Sequence, residues 1–118
     1  MHELAVTENI LDIALKHARQ AQAARVTDIH ITIGQLSSIV DDSIQFYWDM
    51  LSEDTICSAA KLHFNRIPAE FFCTDCKKTF KLEQELAPCP YCGSIRLRIT
   101  SGEEFFLESI EIQRNENE

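Results

Sequence analysis

Cys73-Thr74-Asp75-Cys76 and Cys89-Pro90-Tyr91-Cys92 are two cysteine pairs, each with two residues between its thiols, and twelve residues separate the pairs. Two intervening residues let the chain turn tightly enough for both sulfurs to converge on one ion, with backbone N–H groups pointing at them. Twelve residues suffice for a short hairpin that folds one cysteine turn against the other. A tetrahedral four-thiolate shell suits zinc, with rubredoxin-like iron and redox-active disulfides as the competing readings. Gly93 directly follows the second pair, where a positive φ is often required. A shell closed by Cys73, Cys76, Cys89 and Cys92 leaves no position for a substrate. Zinc here therefore explains folding, and it would supply much of the segment's folding free energy because the segment has almost no apolar core of its own.

On the N-terminal side of this segment the periodicity alternates between helix and strand. Glu3 to Ala24 has neither Gly nor Pro and repeats Val6, Ile10, Ile13, Ala14, Ala18 and Ala21 at helical spacing, which predicts an amphipathic helix. The period changes to two at Val26–Ile33, where Ile29, Ile31 and Ile33 point away from His30 and Thr32, and this strand ends at Gly34. Asp41-Asp42-Ser43 offers N-cap chemistry for a second helix, with Ile44, Tyr47, Trp48 and Leu51 on its buried face. Leu62 and Phe64 then alternate with His63 and Asn65 in a strand that stops before Pro68.

Beyond the cysteines, Ile95, Leu97 and Ile99 alternate with Arg96, Arg98 and Thr100, Ser101-Gly102 makes a turn, and Phe106–Ile112 reads as a last strand. The expected fold class is α+β: two helices packed on a small mixed three-stranded sheet, with a zinc-ribbon module inserted. The expected domains are residues 1–68 plus 103–118, and a ribbon over residues 69–102.

With 118 residues the chain fits a small core plus a metal-stapled appendage. Its formal charge of −8 becomes −10 once four thiolates and one divalent ion are counted, which disfavours a phosphate backbone as partner. Within residues 70–100, Lys77, Lys78, Lys81, Arg96 and Arg98 stand against Glu70, Asp75, Glu83 and Glu85, so the ribbon has no basic excess once the zinc–thiolate centre is included. No run approaches the ~18 apolar residues that span a bilayer, and no secretory leader pattern opens the chain. The expectation is a cytoplasmic protein without nucleic-acid or membrane partners, in which paired cysteines bind metal rather than each other. Cys57 is left over. It reads as a small buried apolar residue, with a resolving thiol as the alternative.

Met1-His2-Glu3 places an amine, a backbone amide, an imidazole and a carboxylate within three residues. The amine and the His2 amide nitrogen close a five-membered chelate and His2 Nδ1 a six-membered one, a nitrogen-rich tetragonal set suited to Ni(II) or Cu(II). The amine must lose its proton, which an unperturbed pKa of about 7.7 to 8.0 allows near neutrality. Taken alone, three residues read as a solvated terminus before they read as a metal site. Together with the Ile33-Gly34 strand end, the acidic start at Asp41 and the Cys73, Cys76, Cys89, Cys92 ribbon, they give a chain that resembles the HypA/HybF family of hydrogenase-maturation nickel chaperones over nearly its whole length.

The resemblance implies that Met1, His2 and Glu3 bind nickel and that the four cysteines bind zinc. It also implies that an aspartate ahead of the second helix approaches the nickel, with Asp41 the best match and Asp42 its competitor. The implied partners are a maturation GTPase and the large subunit of a nickel-iron hydrogenase, and urease maturation factors are a further implied destination for the nickel. No covalent chemistry is implied, so the chain is not expected to be an enzyme.

Other features carry blander expectations. His30 and His63 read as ordinary surface histidines, with a second metal pair as the alternative should their strands be adjacent. His17 is expected at the border of the first helix's apolar stripe. Phe46-Tyr47-Trp48 reads as helix core before partner surface. The alternative function is a zinc-ribbon module for nucleic acid or transcription machinery. An enzyme using the ribbon as a lid ranks last, since no activated nucleophile, phosphate loop or open zinc triad is present.

Overall fold

The computed structural model describes residues 3–82 and 87–115. Its elements are α1 (Glu3–Gln20), β1 (Arg25–Gly34), α2 (Asp41–Leu51), β2 (Lys61–Ile67), β3 (Glu70–Cys73), β4 (Thr79–Lys81), β5 (Leu97–Ser101) and β6 (Phe105–Gln113). Strands β2, β1 and β6 form one three-stranded sheet in that order, and β4, β3 and β5 form a second. Two compact units result: residues 1–32, 38–65 and 106–118, and residues 33–37 with 66–105.

In the first unit, two helices pack on a mixed sheet. Val26 N–H, near the start of β1, donates to Ile56 C=O in the turn ahead of β2, and Gln35 N–H, just past the end of β1, to Ile67 C=O at the end of β2, so these strands run parallel and α2 lies on the crossover between them. On the other side of β1, Ala24 N–H donates to Gln113 C=O and Gly34 N–H to Glu104 C=O, the opposite sense, so β6 is antiparallel. Val26, Ile29 and Ile31 are fully buried, as are Ala14, Ala18 and Ile44, and Ile10, Leu11 and Trp48 nearly so. Each fully buried large aliphatic side chain contributes about 1.5–3 kcal/mol relative to exposure.

Helix α1 is shorter than its periodicity suggests. Gln22 adopts φ 57°, Ala23 N–H donates to Ala18 C=O and Gln22 N–H to Arg19 C=O. This is a Schellman stop with Gln22 in the position glycine usually takes, and it ends the helix at Gln20. The buried stripe also includes Thr7, whose hydroxyl donates to the Glu3 carbonyl at 2.6 Å and so buries no unsatisfied group. His17, expected near the apolar border, is exposed in the last turn beside Arg19, where a cation complements the helix dipole.

The second helix is not capped as its sequence proposes. Val40 is the N-cap residue (φ −103°, ψ 128°) and makes no side-chain cap bond, while Asp41 and Asp42 stand inside the first turn. Their benefit is therefore the favourable placement of negative charge at a helix N-terminus. The Phe46-Tyr47-Trp48 cluster divides: Trp48 is 1% exposed and Phe46 65% exposed, edge-on to Tyr47 at 5.4 Å.

In the second unit, β3 pairs antiparallel with both β4 and β5. Strand β5 begins only at Leu97, and Ile95 is 82% exposed, so the apolar alternation that starts at Ile95 outruns the strand. Gly34 sits against the Ser101–Glu104 turn so closely that a β-carbon there would lie 2.0 Å from the Gly102 carbonyl oxygen. Around this contact Leu36 N–H donates to Gly102 C=O, Ala69 N–H to the Gln35 side chain and Ser101 Oγ to Pro68 C=O, tying the end of β1 to both connections of the ribbon.

Candidate metal centre

The four cysteines are carried on two turns with the same hydrogen-bond pattern. In the first, Cys73 N–H donates to Lys78 C=O and Lys77 N–H to Cys73 C=O; in the second, Cys89 N–H donates to Ser94 C=O and Gly93 N–H to Cys89 C=O. The residue after each pair is left-handed: Lys77 at φ 61° and Gly93 at φ 77°. Gly93 fills this position without strain, whereas Lys77 holds it at a cost. Sequence reading recognised only the glycine, because a lysine gives no signal for positive φ.

The ligand atoms of Cys73, Cys76, Cys89 and Cys92 all lie within 4.8 Å of one another. Cys73 Sγ is 3.6 Å from Cys92 Sγ, and Cys76 Sγ is 3.6 Å from Cys89 Sγ. A tetrahedron with ~2.3 Å zinc–sulfur bonds has edges of about 3.8 Å, whereas a disulfide needs sulfurs about 2.05 Å apart. All four thiols are free, and the spacing fits a shared ion. Tyr91 N–H points at Cys89 Sγ from 3.4 Å, as an amide does toward a thiolate.

Electrostatics point the same way. An amide hydrogen bond from Cys76 leads the effects that lower the Cys73 thiol to about 7. At Cys92 the Ser94 amide is a lowering influence, but desolvation and the neighbouring Cys73, Cys89 and Cys76 sulfurs outweigh it and push the thiol up to about 12. Cys76 is also raised, first by desolvation. Four sulfurs this close cannot all ionise side by side unless a cation sits among them, and a divalent ion removes that penalty while releasing protons.

Side chains around the centre brace the two turns. Thr74 N–H and Oγ both donate to Arg96 C=O, Ser94 Oγ donates to Asp75, and Arg96 N–H donates to Ser94 Oγ. Lys78 Nζ lies 4.8 Å above the Tyr91 ring. The apolar support is small: Ala69 and Phe71 are buried, and Phe71 stacks on Phe80 with ring centroids 5.7 Å apart. A ribbon with so little core would draw much of its stability from an ion held by the four sulfurs.

Of the residues expected at a second metal, Met1 and His2 lie outside the described residues. Glu3 opens α1 and is half-buried, and Asp41, also half-buried, opens α2, while Asp42 beside it is exposed. Helices α1 and α2 pack against each other. Cys57 is fully buried and far from thiol chemistry, since burial pushes it up to about 11. His30 and His63 stand on adjacent strands with their rings stacked.

Fold and site together define a small α+β metal-binding protein whose four-cysteine ribbon is inserted in the sequence of a helix-and-sheet unit. Residues 1–112 match the family model described as "Hydrogenase/urease nickel incorporation, metallochaperone, hypA". The chain is 42% identical over 112 residues to a hydrogenase maturation factor HypA of Dehalococcoides mccartyi, covering 95% of this chain and 94% of that one. It is 37% identical over 111 residues to hydrogenase maturation factor HybF of Klebsiella pneumoniae, covering 94% and 98%. Among solved structures it is similar to the solution structure of the nickel metallochaperone HypA from Helicobacter pylori, with TM-score 0.68, 26% identity, and coverage of 98% and 100%.

The chain belongs to the HypA family of hydrogenase-maturation metallochaperones, a family of metal carriers and not of enzymes.

Proposed function

We propose that this protein carries Ni(II) at Met1-His2-Glu3 and hands it, together with a partner GTPase, to the large subunit of a nickel-iron hydrogenase, with zinc held permanently by Cys73, Cys76, Cys89 and Cys92. The observation that carries the reading is the span of the family match, residues 1–112, which takes in the nitrogen-rich opening tripeptide and all four cysteines. Donor chemistry supports the division. Four thiolates around a closed centre retain a soft-tolerant ion such as zinc, whereas an amine, a backbone amide and an imidazole favour the tetragonal preference of Ni(II).

Delivery requires an ion that is held selectively and then surrendered. A chelate at the start of α1 meets that need better than an enclosed cage, because an acceptor can replace its ligands one at a time. Glu3 would supply an oxygen and orient the first turn, and Asp41 would approach from the start of α2, with Asp42 as the competing acid. Nickel binding then requires deprotonation of the amine and of the His2 amide, so uptake weakens as pH falls. No helix among the described residues is long and apolar enough to cross a membrane. The proposed setting is the cytoplasm, with urease maturation factors as a further destination of the nickel.

Native mass spectrometry of untagged protein with added Ni(II) tests this, comparing wild type with His2→Ala and with a chain extended ahead of Met1. One zinc persists in all three, and stoichiometric high-affinity nickel uptake is kept only by wild type. Undiminished high-affinity uptake by the extended chain would remove the amine from the ligand set.

A further inference from the structure

The face of the three-stranded sheet that carries His30 holds a cluster which the proposed nickel and zinc sites do not use. His30 on β1 and His63 on β2 stack with ring centroids 4.7 Å apart and planes 16° from parallel. His30 Nε2 is 2.8 Å from Glu111 Oε2 on β6, and His63 Nε2 is 2.7 Å from Asp28 Oδ1 on β1. The histidine side chains are 34% and 44% exposed, so an ion and its waters can reach them. Glu108, bonded to Thr32 Oγ1, adds a third carboxylate to the same face.

An ionised carboxylate only accepts hydrogen bonds, so each imidazole donates from Nε2, and Nδ1 is the nitrogen left to bind a metal. A carboxylate behind one ring nitrogen, with the other nitrogen basic and open, is the arrangement that supports histidines bound to metals. The hydrogen bond from His63 also leads the effects that hold Asp28 below its ordinary carboxylate range, which keeps it an acceptor. The two rings are already close to each other on adjacent strands, and because an imidazole lone pair lies in the ring plane, both rings turn out of their stack about the broad χ2 torsion for their Nδ1 atoms to face one ion.

We propose that His30 and His63 form a bis-imidazole site that binds one divalent late-transition ion through their Nδ1 atoms, with Asp28 and Glu111 fixing the tautomers from behind. Imidazole suits Ni(II), Cu(II) and Zn(II), and the acidic surroundings favour any of them over an anion. In a protein that carries nickel, such a pair is a second, weaker docking point for the cargo. The site nevertheless stands on its own geometry and not on the assignment of the N-terminus.

The test uses zinc-loaded full chain extended ahead of Met1, which takes the terminal amine out of play, and Ni(II) as the probe. Titration followed by amide NMR is expected to show one saturable Ni(II) event that broadens signals around His30 and His63, with affinity falling at least tenfold in His30→Ala and in His63→Ala. Asp28→Asn, which keeps the shape and removes the charge, is expected to weaken binding by about 10–100-fold. Retained amide patterns in α1 and α2 establish that each variant is folded. Absence of Ni(II) binding in the extended protein, or binding unchanged by both histidine substitutions, would overturn the site. Neither result touches high-affinity uptake at Met1-His2-Glu3, which is read separately in untagged protein.

Discussion

Replacing Gly34 by alanine should damage the fold far more than a single methyl group suggests. Gly34 shows no left-handed φ, so alanine suffers no backbone penalty there; its entire cost is steric. The new β-carbon would lie 2.0 Å from Gly102 O, 2.1 Å from Gly102 C and 2.6 Å from Glu103 N. All three are backbone atoms, and ordinary contact begins near 3.4 Å, so the turn must retreat by about 1.4 Å. Two hydrogen bonds span the same contact, Gly34 N–H to Glu104 C=O at 2.6 Å and Leu36 N–H to Gly102 C=O at 2.7 Å.

Overpacking costs ~1–3 kcal/mol and each weakened bond ~0.5–1.5 kcal/mol, against ~0.4–1 kcal/mol regained from a less flexible unfolded chain. The net loss is about 3 kcal/mol by the same principles. Gly93→Ala is the internal control: it has φ +77° but nothing within 4 Å of its β-carbon, so it loses only the backbone preference, about 1 kcal/mol. Urea unfolding of zinc-loaded protein, followed by tryptophan fluorescence and by amide NMR, measures both. If Gly34→Ala costs no more than Gly93→Ala, the close approach at Gly102 does not exist in solution.

Removing the ion, by a strong chelator or by Cys73→Ser, should abolish zinc stoichiometry and collapse the amide dispersion of β3, β4 and β5, while α1 and α2 keep their signals; a ribbon that stays dispersed without metal contradicts the small-core argument. Lys77→Gly relieves the one left-handed lysine and should raise the urea midpoint modestly, by about 0.5–1 kcal/mol, with zinc content unchanged. Asp28 has its folded pKa lowered below 3.8, chiefly by the hydrogen bond from His63, so its contribution is present above the unfolded value and is lost as pH falls through the folded one. Stability measured from pH 5 downward should therefore fall less steeply in Asp28→Asn than in wild type.

Much of the architecture was legible because it rests on periodicity. Ile29, Ile31 and Ile33 alternate with His30 and Thr32, and their burial follows directly; Ile44 and Trp48 mark the inner face of α2. The cysteine spacing alone implied the convergence that the sulfur distances display. What escaped were choices made by backbone context. Gln22 and Lys77 take left-handed conformations without a glycine to announce them. Val40 is the N-cap of α2 because the chain enters extended there, leaving Asp41 one position and Asp42 two positions too late to cap. Thr7 is buried because a neighbouring carbonyl satisfies its hydroxyl, which a hydropathy pattern does not register. His30 and His63 met only once strand order was known, since they stand 33 positions apart in the chain and parallel pairing brings them side by side. Of the proposed nickel ligands, Glu3 and Asp41 each open a helix, while Met1 and His2 rest on chemistry and resemblance.

Crystals of untagged protein loaded with one equivalent each of zinc and nickel, measured at both metals' absorption edges, test the central division of ligands most directly. The account places the zinc anomalous peak among Cys73, Cys76, Cys89 and Cys92 and the strongest nickel peak within bonding distance of the Met1 amine and His2. A nickel peak at the cysteines, or an opening tripeptide remote from any nickel, would contradict it.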